Sequence, residues 1–281
     1  MTPEERNRAA IARAHRDIWL DFKSAVRPLY SVTPAYRPRH AGSCVLVVDN
    51  GIRYLVTAAH VIDEAKDSVI YIGTDDGFVE LVGDWFLTDA PDGDRNEDQI
   101  DIAVARLGNS TLCELGDMHF IPPESCLLDG LPNDQPYSVA LGWPSKLNEN
   151  FDAAKRSVKP EAVSFLSSRE SNDTTIIRMG GDVEHNCLLA YHPKWAINAV
   201  GDKERTGVGL GMSGGALFLA PDVHRSVAQL PGWRCQGKLI GVLIERDPNR
   251  RVLFFTQVRM ILAEMRAVET GQTSLLKHIS C

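Results

Sequence analysis

The sequence lacks the features that mark membrane, nucleic-acid-binding and metal-binding proteins. Its apolar runs are far shorter than the roughly 20 residues that a membrane-spanning helix needs. Its 30 lysines and arginines stand against 37 acids, for a formal net charge of −7, and they form no basic cluster. Its six cysteines form no C-x-x-C pair and no zinc-type arrangement with histidine. We therefore expect a soluble protein that binds neither membrane nor nucleic acid and needs no metal or organic cofactor.

The first 22 residues also lack the apolar core of a secretory signal peptide. Arginines and acids are interspersed there, and a mitochondrial presequence would be poor in acids. We therefore expect a cytoplasmic protein. Because disulfides are rare in a reducing compartment, the cysteines are expected to be free thiols, most of them buried.

A helix is predicted for the start of the chain. The segment Thr2-Pro3-Glu4-Glu5 combines a capping hydroxyl, a proline at the first helical position and two acids near the positive end of the helix dipole. Apolar residues then recur every three or four positions until Pro28, at Ile11, Ala14, Ile18, Phe22 and Val26. This stripe indicates a helix that docks on the rest of the protein, or else one that binds a regulatory partner.

From residue 43 the pattern changes to short β-branched and aromatic runs separated by turn residues. The first two runs flank Asn50-Gly51, which supplies the positive φ angles of a tight hairpin turn. Ten more runs follow, among them GFVEL, IDIAVARL, TTIIRM and KLIGVLIE, and they predict an all-β sandwich or barrel assembly. Residues 128–136 are the expected linker between two β halves, and residues 258–268 are an expected closing helix.

One stretch raises a chemical question. Residues 207–218 read GVGLGMSGGALF, in which five glycines surround Ser213. Glycine weakens strands, so such a cluster marks a place where the backbone must approach something closely. A reactive serine needs donors for a developing oxyanion, and the amides of Gly211 and Ser213 could supply them. By itself, however, GMSGG fits a structural glycine turn equally well.

A reactive serine also needs a base, and two further segments offer a base and its partner. In YLVTAAHVID, two alanines precede His60 and allow the chain to turn tightly, although a lone histidine at a strand end is more commonly structural. In DQIDIAVARL, Asp101 opens an apolar strand, and a buried carboxylate there would need a partner such as a histidine N–H. Asp98 is the rival acid, but its surroundings look solvated.

Four motifs occur in the order found in a known family. TAAH around His60, DIAV around Asp101, ALGWP at 140–144 and GMSGG around Ser213 resemble those of the chymotrypsin-like (trypsin-fold) serine peptidases, particularly the bacterial intracellular and HtrA-like members. The resemblance spans roughly residues 40–268. It implies two six-stranded antiparallel β-barrels, at 31–130 and 131–268, the second with its closing helix, between an N-terminal helical extension at 1–30 and a tail at 269–281.

The resemblance also implies the role of each site residue. His60 would be the general base, Asp101 its orienting carboxylate and Ser213 the nucleophile, and the amides of Gly211 and Ser213 would form the oxyanion hole. The implied activity is that of a serine endopeptidase. A peptide or protein substrate acylates the serine, and water then hydrolyses the acyl-enzyme. Its rate should rise with pH as His60 loses its proton, near the usual pKa of about 6.5.

The sequence also departs from the family. Met212 occupies the position before the nucleophile where trypsin-like zymogens carry an aspartate, so activation by insertion of a new amino terminus is not expected. Gly207 lies six positions before the nucleophile, where trypsin is acidic, so cleavage after Lys or Arg is not implied. Glu245 and Arg246 either border the substrate pocket or are solvated edge residues. Three long loops are candidates for shaping the cleft: 145–160, 192–206 and 221–237.

Two other functions fit parts of the sequence. The pentapeptide 211–215 matches G-x-S-x-G, the nucleophile elbow of α/β-hydrolase esterases, with Asp247 and His278 following in the required order. That fold needs alternating strands and helices, which most of this chain does not suggest. The other alternative is a catalytically silent peptidase scaffold that only binds peptides or partners.

Overall fold

The fold is known from a computed structural model. It describes residues 2–33, 37–65, 68–132, 134–135, 137–149, 151–152, 157–158, 160–170, 173–191, 211–223, 232–247, 249 and 251–279. The helices are α1 (Pro3–Phe22), α2 (Ala59–Asp63), α3 (Asn109–Leu115), α4 (Ser145–Asn148), α5 (Asp173–Arg178) and α6 (Val258–Thr270). None of the helices in these ranges is long and apolar enough to cross a membrane.

Strands account for more of the described chain than helices do. In the first half they are β1 (Val26–Val32), β2 (Pro38–Asp49), β3 (Ile52–Ala58), β4 (Ile70–Gly73), β5 (Phe78–Glu80), β6 (Gly83–Thr88) and β7 (Ile102–Leu107). The remainder are β8 (Tyr137–Gly142), β9 (Phe151–Asp152), β10 (Ser157–Val158), β11 (Val163–Glu170), β12 (Asn186–Ala190), β13 (Ala216–Leu219), β14 (Lys238–Asp247), β15 (Val252–Gln257) and β16 (Leu276–Ile279). All named strand pairs are antiparallel.

Helix α1 forms as the sequence predicts. The Thr2 hydroxyl accepts a hydrogen bond from the Glu5 amide, and the Glu5 carboxylate accepts one from the Thr2 amide. The apolar stripe packs against the rest of the protein, with Ile11 partly buried and its other members buried. The Phe22 ring stacks on Phe218 of β13 at 4.4 Å between centroids. The helix ends at Phe22, and the predicted stripe residue Val26 instead begins β1. The stripe therefore docks helix α1 on the rest of the protein.

The first seven strands and β16 form one sheet, which we call the amino-terminal sheet. Its strand order is β16-β6-β7-β3-β2-β1-β4-β5. The predicted hairpin between β2 and β3 is confirmed, because Asn50 and Gly51 both have positive φ, at 49° and 79°. Strands β1 and β6 were not among the runs that the sequence suggested.

Six strands of the second half close into a barrel, which we call the carboxy-terminal barrel. Its order is β11-β12-β15-β14-β13-β8. Of the two predicted six-stranded barrels, this one is confirmed. The other is not, because the amino-terminal sheet has eight strands, and among the described residues no hydrogen-bonded pair joins its edges β5 and β16. The sheet gains its extra edge strand from the segment 269–281, which the sequence suggested was a tail.

Two other predictions near the barrel have different outcomes. The closing helix is confirmed as α6, which ends at Thr270 and is capped by Gly271 with a left-handed φ of 67°. The run TTIIRM was expected to be a strand, but it forms helix α5. Ile176 is buried there while Ile177 is exposed, so the two adjacent isoleucines do not share a buried face. The expected linker 128–136 carries no helix or strand in the part that the structure describes.

Candidate active site

A cleft of about 550 Å³ lies where the amino-terminal sheet meets the carboxy-terminal barrel. Its lining contains all four residues that the sequence suggested for the chemistry: His60, Asp101, Gly211 and Ser213. The sheet contributes the first two and the barrel contributes the other two. Apolar residues Met179, Leu243, Ile244 and Phe254 also line the cleft.

Strand pairing brings His60 to Asp101. The end of β3 lies beside the start of β7, with Ala58 opposite Ile102, and the chain turns into helix α2 directly after Ala58. The amide of Ala59 donates to the carbonyl of Asp101 at 2.9 Å. Ala58 and Ala59 are completely buried, so no larger side chain separates the two backbones. The small residues that the sequence showed before His60 therefore allow this close turn.

Asp101 holds His60 through two hydrogen bonds. Its Oδ1 accepts from the backbone amide of His60 at 2.9 Å, and its Oδ2 accepts from the imidazole Nδ1 at 2.5 Å. Asp101 is buried and has a positive φ of 45°, a conformation that non-glycine residues rarely adopt. With Nδ1 donating, Nε2 of the same ring is left as a proton acceptor.

The rival acid, Asp98, bonds to other residues than His60. Its side chain is only 6% exposed and receives hydrogen bonds from Arg95, from the Thr88 hydroxyl and from the Ile100 amide. The expectation that it is solvated was wrong, because Arg95 folds back over it and also pairs with Asp63 at 2.7 Å. Asp98 thus shapes the turn before Asp101 and makes no hydrogen bond to His60 in the described structure.

The pair shifts the acidity of both partners. Burial alone would lower the pKa of the His60 imidazole, but the hydrogen bond and charge of Asp101, with the charge of Glu64, outweigh it and raise that pKa. Burial raises the pKa of the Asp101 carboxyl, against the opposing effect of His60. The imidazole therefore holds a proton more strongly than it would in water.

The glycines around Ser213 allow its loop to lie against three other segments, at Ser43, Ser145 and Leu243. The carbonyl of Ser213 accepts from the Ser43 amide at 2.7 Å, and Gly214 donates to the carbonyl of Leu243 at 2.7 Å. Gly211 and Gly214 have positive φ angles of 74° and 84°. A β-carbon on Gly211 would lie 1.7 Å from Ser145 Oγ, and one on Gly214 would lie 1.8 Å from the Ser43 carbonyl oxygen. Close backbone approach is therefore the reason for the glycines.

The same loop has two unused backbone donors, on residues that line the cleft. In the described part of the chain, the amides of Gly211 and Ser213 donate to no protein acceptor. Buried or partly buried amides are normally paired, and unpaired ones on a cleft can hold a developing negative charge. Met212, between them, is fully buried and contacts Gly142 of the ALGWP motif, so the side chain before Ser213 serves packing.

The other predicted site residues are placed less completely. Gly207 and the loop 192–206 lie outside the described residues. The backbone of Glu245 pairs with Phe254, and that of Arg246 with Leu253, in β14 and β15. His278 lies on the edge strand β16 beside Phe86, at 5.3 Å between ring centroids, and does not line the cleft. Together with the antiparallel strands, its position removes the basis for the α/β-hydrolase alternative.

Sequence reasoning missed several polar residues at the cleft. Asp63, Glu64, Arg95 and Gln99 all line it, although no motif marked them. Their positions depend on how the turn at 91–101 folds back over α2, which a local pattern does not encode. The five described cysteines are free, and only Cys113 among them is exposed.

Comparison with solved structures identifies the fold family. No protein-family model matches the sequence, and no curated protein matches it either. The HtrA-type protease AlgW, solved with a tripeptide, is similar over 92% of this chain, with a TM-score of 0.51 and 17% identity. This chain has the chymotrypsin-like fold of the serine peptidases. It spans 65% of the length of that AlgW chain.

Two more solved structures are similar to this chymotrypsin-like chain. One is the thermostable serine protease AL20 from an extremophilic microorganism, with 14% identity, a TM-score of 0.48 and coverage of 83% of this chain and 90% of that one. The other is the tobacco etch virus protease complexed with product, with 10% identity, a TM-score of 0.47 and coverage of 93% and 83%.

Proposed function

We propose that this protein is a serine endopeptidase that hydrolyses peptide bonds in a protein target inside the cell. The observation that carries the proposal is the double contact of Asp101 with His60 in the cleft that Ser213 also lines. Support also comes from the amides of Gly211 and Ser213, which are unpaired in the described part of the chain, and from the chymotrypsin-like fold. The AlgW structure was solved with a tripeptide, and for this chain too we propose a peptide or protein as substrate.

The proposed reaction has two halves, and in each of them His60 acts first as a base and then as an acid. Ser213 Oγ attacks the peptide carbonyl carbon while its proton passes to Nε2 of His60, and Asp101 stabilises the resulting imidazolium. The carbonyl oxygen becomes negative and accepts hydrogen bonds from the amides of Gly211 and Ser213. His60 then gives its proton to the leaving amine as the C–N bond breaks. Water, deprotonated by His60, attacks the acyl carbon, and His60 passes that proton to Ser213 Oγ as the ester bond breaks, which releases the acid and restores the serine.

Labelling with a fluorophosphonate tests the nucleophile. We expect the wild-type protein to be labelled covalently and Ser213→Ala to remain unlabelled, because only an activated serine attacks the phosphorus. Ser110→Ala, an exposed serine on α3, is the matched control and should label as the wild type does. Labelling is measured by intact mass before and after exposure.

Either of two results would contradict the proposal. Labelling that persists in Ser213→Ala would identify another nucleophile. A folded wild-type protein that is neither labelled nor able to cleave a peptide library, with or without candidate partners, would instead favour the silent binding scaffold.

The pH dependence of the reaction follows from the raised pKa of His60. Only the neutral imidazole accepts the serine proton, so kcat/KM should rise as pH passes upward through that pKa. Because the pKa is raised, we expect the midpoint above 6.5 and not at the ordinary value that the sequence suggested. Glu64→Gln should lower the midpoint, since the Glu64 charge is among the groups that raise it. A wild-type midpoint at or below 6.5 would contradict the arrangement.

A further inference from the structure

The orientation of Asp101 depends on the turn that precedes it. Asp101 must present one oxygen to the His60 amide and the other to Nδ1, and it does so from a backbone conformation with positive φ. Such a conformation persists only where the surroundings hold it. Its own carbonyl is fixed within the sheet by the Ala59 amide. The two peptides before Asp101 are held by other contacts.

Two side chains of the carboxy-terminal barrel hold those peptides. The Thr256 hydroxyl donates to the carbonyl of Ile100 at 2.6 Å, and the Asn186 amide group donates to the carbonyl of Gln99 at 3.0 Å. Both side chains are almost completely buried. The two consecutive carbonyls before Asp101 are therefore bound by the half of the molecule to which Asp101 does not belong.

The two donors form a rigid pair. Asn186 of β12 lies directly opposite Thr256 of β15 in the barrel, so the two side chains come from adjacent positions of paired strands. The Asn186 side-chain oxygen accepts from the Asp182 amide at 2.9 Å, which fixes its amide group with the nitrogen toward Gln99. The Asn186 carbonyl accepts from the Gln257 side chain at 2.8 Å. Donors on paired strands hold geometry better than donors on a loop.

The location of this contact matters for the chemistry. His60 lies on helix α2 directly after β3, and Asp101 directly precedes β7, so both are attached to the amino-terminal sheet, whereas Ser213 lies on the loop before β13 of the barrel. A proton can pass between base and nucleophile only at hydrogen-bond distance, and a displacement of about 1 Å can lower a rate by about 10². A contact that ties the Asp101 turn to the barrel thus also limits slippage of the base relative to the nucleophile.

We propose that Thr256, together with Asn186, is a positioning residue for the peptidase reaction. By holding the Ile100 and Gln99 carbonyls, the pair sets the direction of the Asp101 carboxylate and, through it, of the His60 ring. This inference rests on the proposed function. It differs from ordinary burial of a polar group, since a hydroxyl that only satisfies a carbonyl would affect stability without affecting the imidazole.

Thr256→Val tests the proposal because valine keeps the shape and removes the donor. We expect kcat to fall by about 10-fold to 100-fold with KM little changed, since the alignment of reacting groups is lost while the substrate surface remains. The midpoint of the pH profile should also fall, because a misdirected Asp101 raises the pKa of His60 less. The other charges acting on His60, Glu64 and Arg95, are untouched. Thr256→Ser should restore both values.

A matched control separates positioning from stability. Thr111 is equally buried, and its hydroxyl donates to the Glu80 carbonyl at 2.8 Å, outside the cleft. Thr111→Val should lower the urea midpoint of unfolding at least as much as Thr256→Val does, since the Val82 amide also loses its acceptor, but should leave kcat and the pH profile unchanged. If Thr256→Val fails to fold, Thr256→Ala removes the same donor without placing a methyl group against the Ile100 carbonyl.

The outcomes distinguish the inference from the proposed function. The His60 pKa can be measured by NMR titration of the full-length protein whether or not it cleaves peptides. Unchanged kcat and His60 pKa in a folded Thr256→Val variant would overturn the positioning role even if the wild type is a peptidase. A lowered His60 pKa supports it, including in a wild type that is never labelled by fluorophosphonate, where only the proposed function fails.

Discussion

Ser213→Ala and His60→Ala are each expected to abolish nearly all peptide hydrolysis, with kcat falling on the order of 10⁴-fold to 10⁶-fold. Alanine at 213 leaves no oxygen to attack the carbonyl, and alanine at 60 leaves no base to take the serine proton. Because each group is useless without the other, the double variant should be little worse than either single one. The measurement is kcat for the three variants on one peptide substrate.

The double variant is the decisive comparison. If it were far slower than either single variant, by the product of the two losses, the two side chains would be acting independently and the proposed mechanism would be wrong. Circular dichroism and urea unfolding of each variant should show that the fold is retained, because Ser213 and His60 both lie at the surface of the cleft and neither is fully buried.

Gly211→Ala is expected to lower kcat by about 10²-fold to 10³-fold or more, the usual loss when one oxyanion donor is displaced. A β-carbon there would lie 1.7 Å from Ser145 Oγ, 2.6 Å from Ser145 Cβ and 2.8 Å from the Ser145 amide nitrogen. The loop must therefore move, and its amide moves with it. The effect is measured as kcat and as the rate of fluorophosphonate labelling.

Two companion variants separate the clash from the backbone conformation. Gly271 has a similar φ of 67°, but a β-carbon there would meet no atom within 4 Å. Gly271→Ala should therefore lower the stability by about 1 kcal/mol and leave kcat unchanged. Ser145→Gly added to Gly211→Ala removes the clashing side chain and should recover part of the lost rate. Wild-type kcat in Gly211→Ala would mean that this amide does not contact the reacting oxygen.

The sequence predicted the features that depend on local chemistry. The capping box at Thr2 and Glu5, the hairpin turn at Asn50-Gly51 and the closing helix were all evident from a few adjacent residues. The contact between His60 and Asp101 was predicted only because four motifs occurred in a familiar order. Spacing along the chain did not contain it, since it arises when β3 pairs with β7.

The features that were missed depend on distant parts of the chain. TTIIRM has the β-branched composition of a strand, yet the segment is a helix in which Ile176 is buried and Ile177 is exposed. Asp98 looked solvated because its partner Arg95 folds over it only in the tertiary structure. Thr256 and Asn186 bond to carbonyls 156 and 87 positions away, so no window of sequence could relate them to the site. The role of Gly207 in the substrate pocket stays a prediction.

The edge strand β16 has a consequence for biosynthesis. It leaves the ribosome after the barrel strands and helix α6, yet its partner β6 precedes them in the chain. Domains commonly fold in the order in which they emerge, but here the amino-terminal sheet stays one strand short until the whole barrel and helix α6 have been translated. During that interval, the main-chain groups of β6 that will pair with β16 are open to water, to chaperones or to a neighbouring nascent chain.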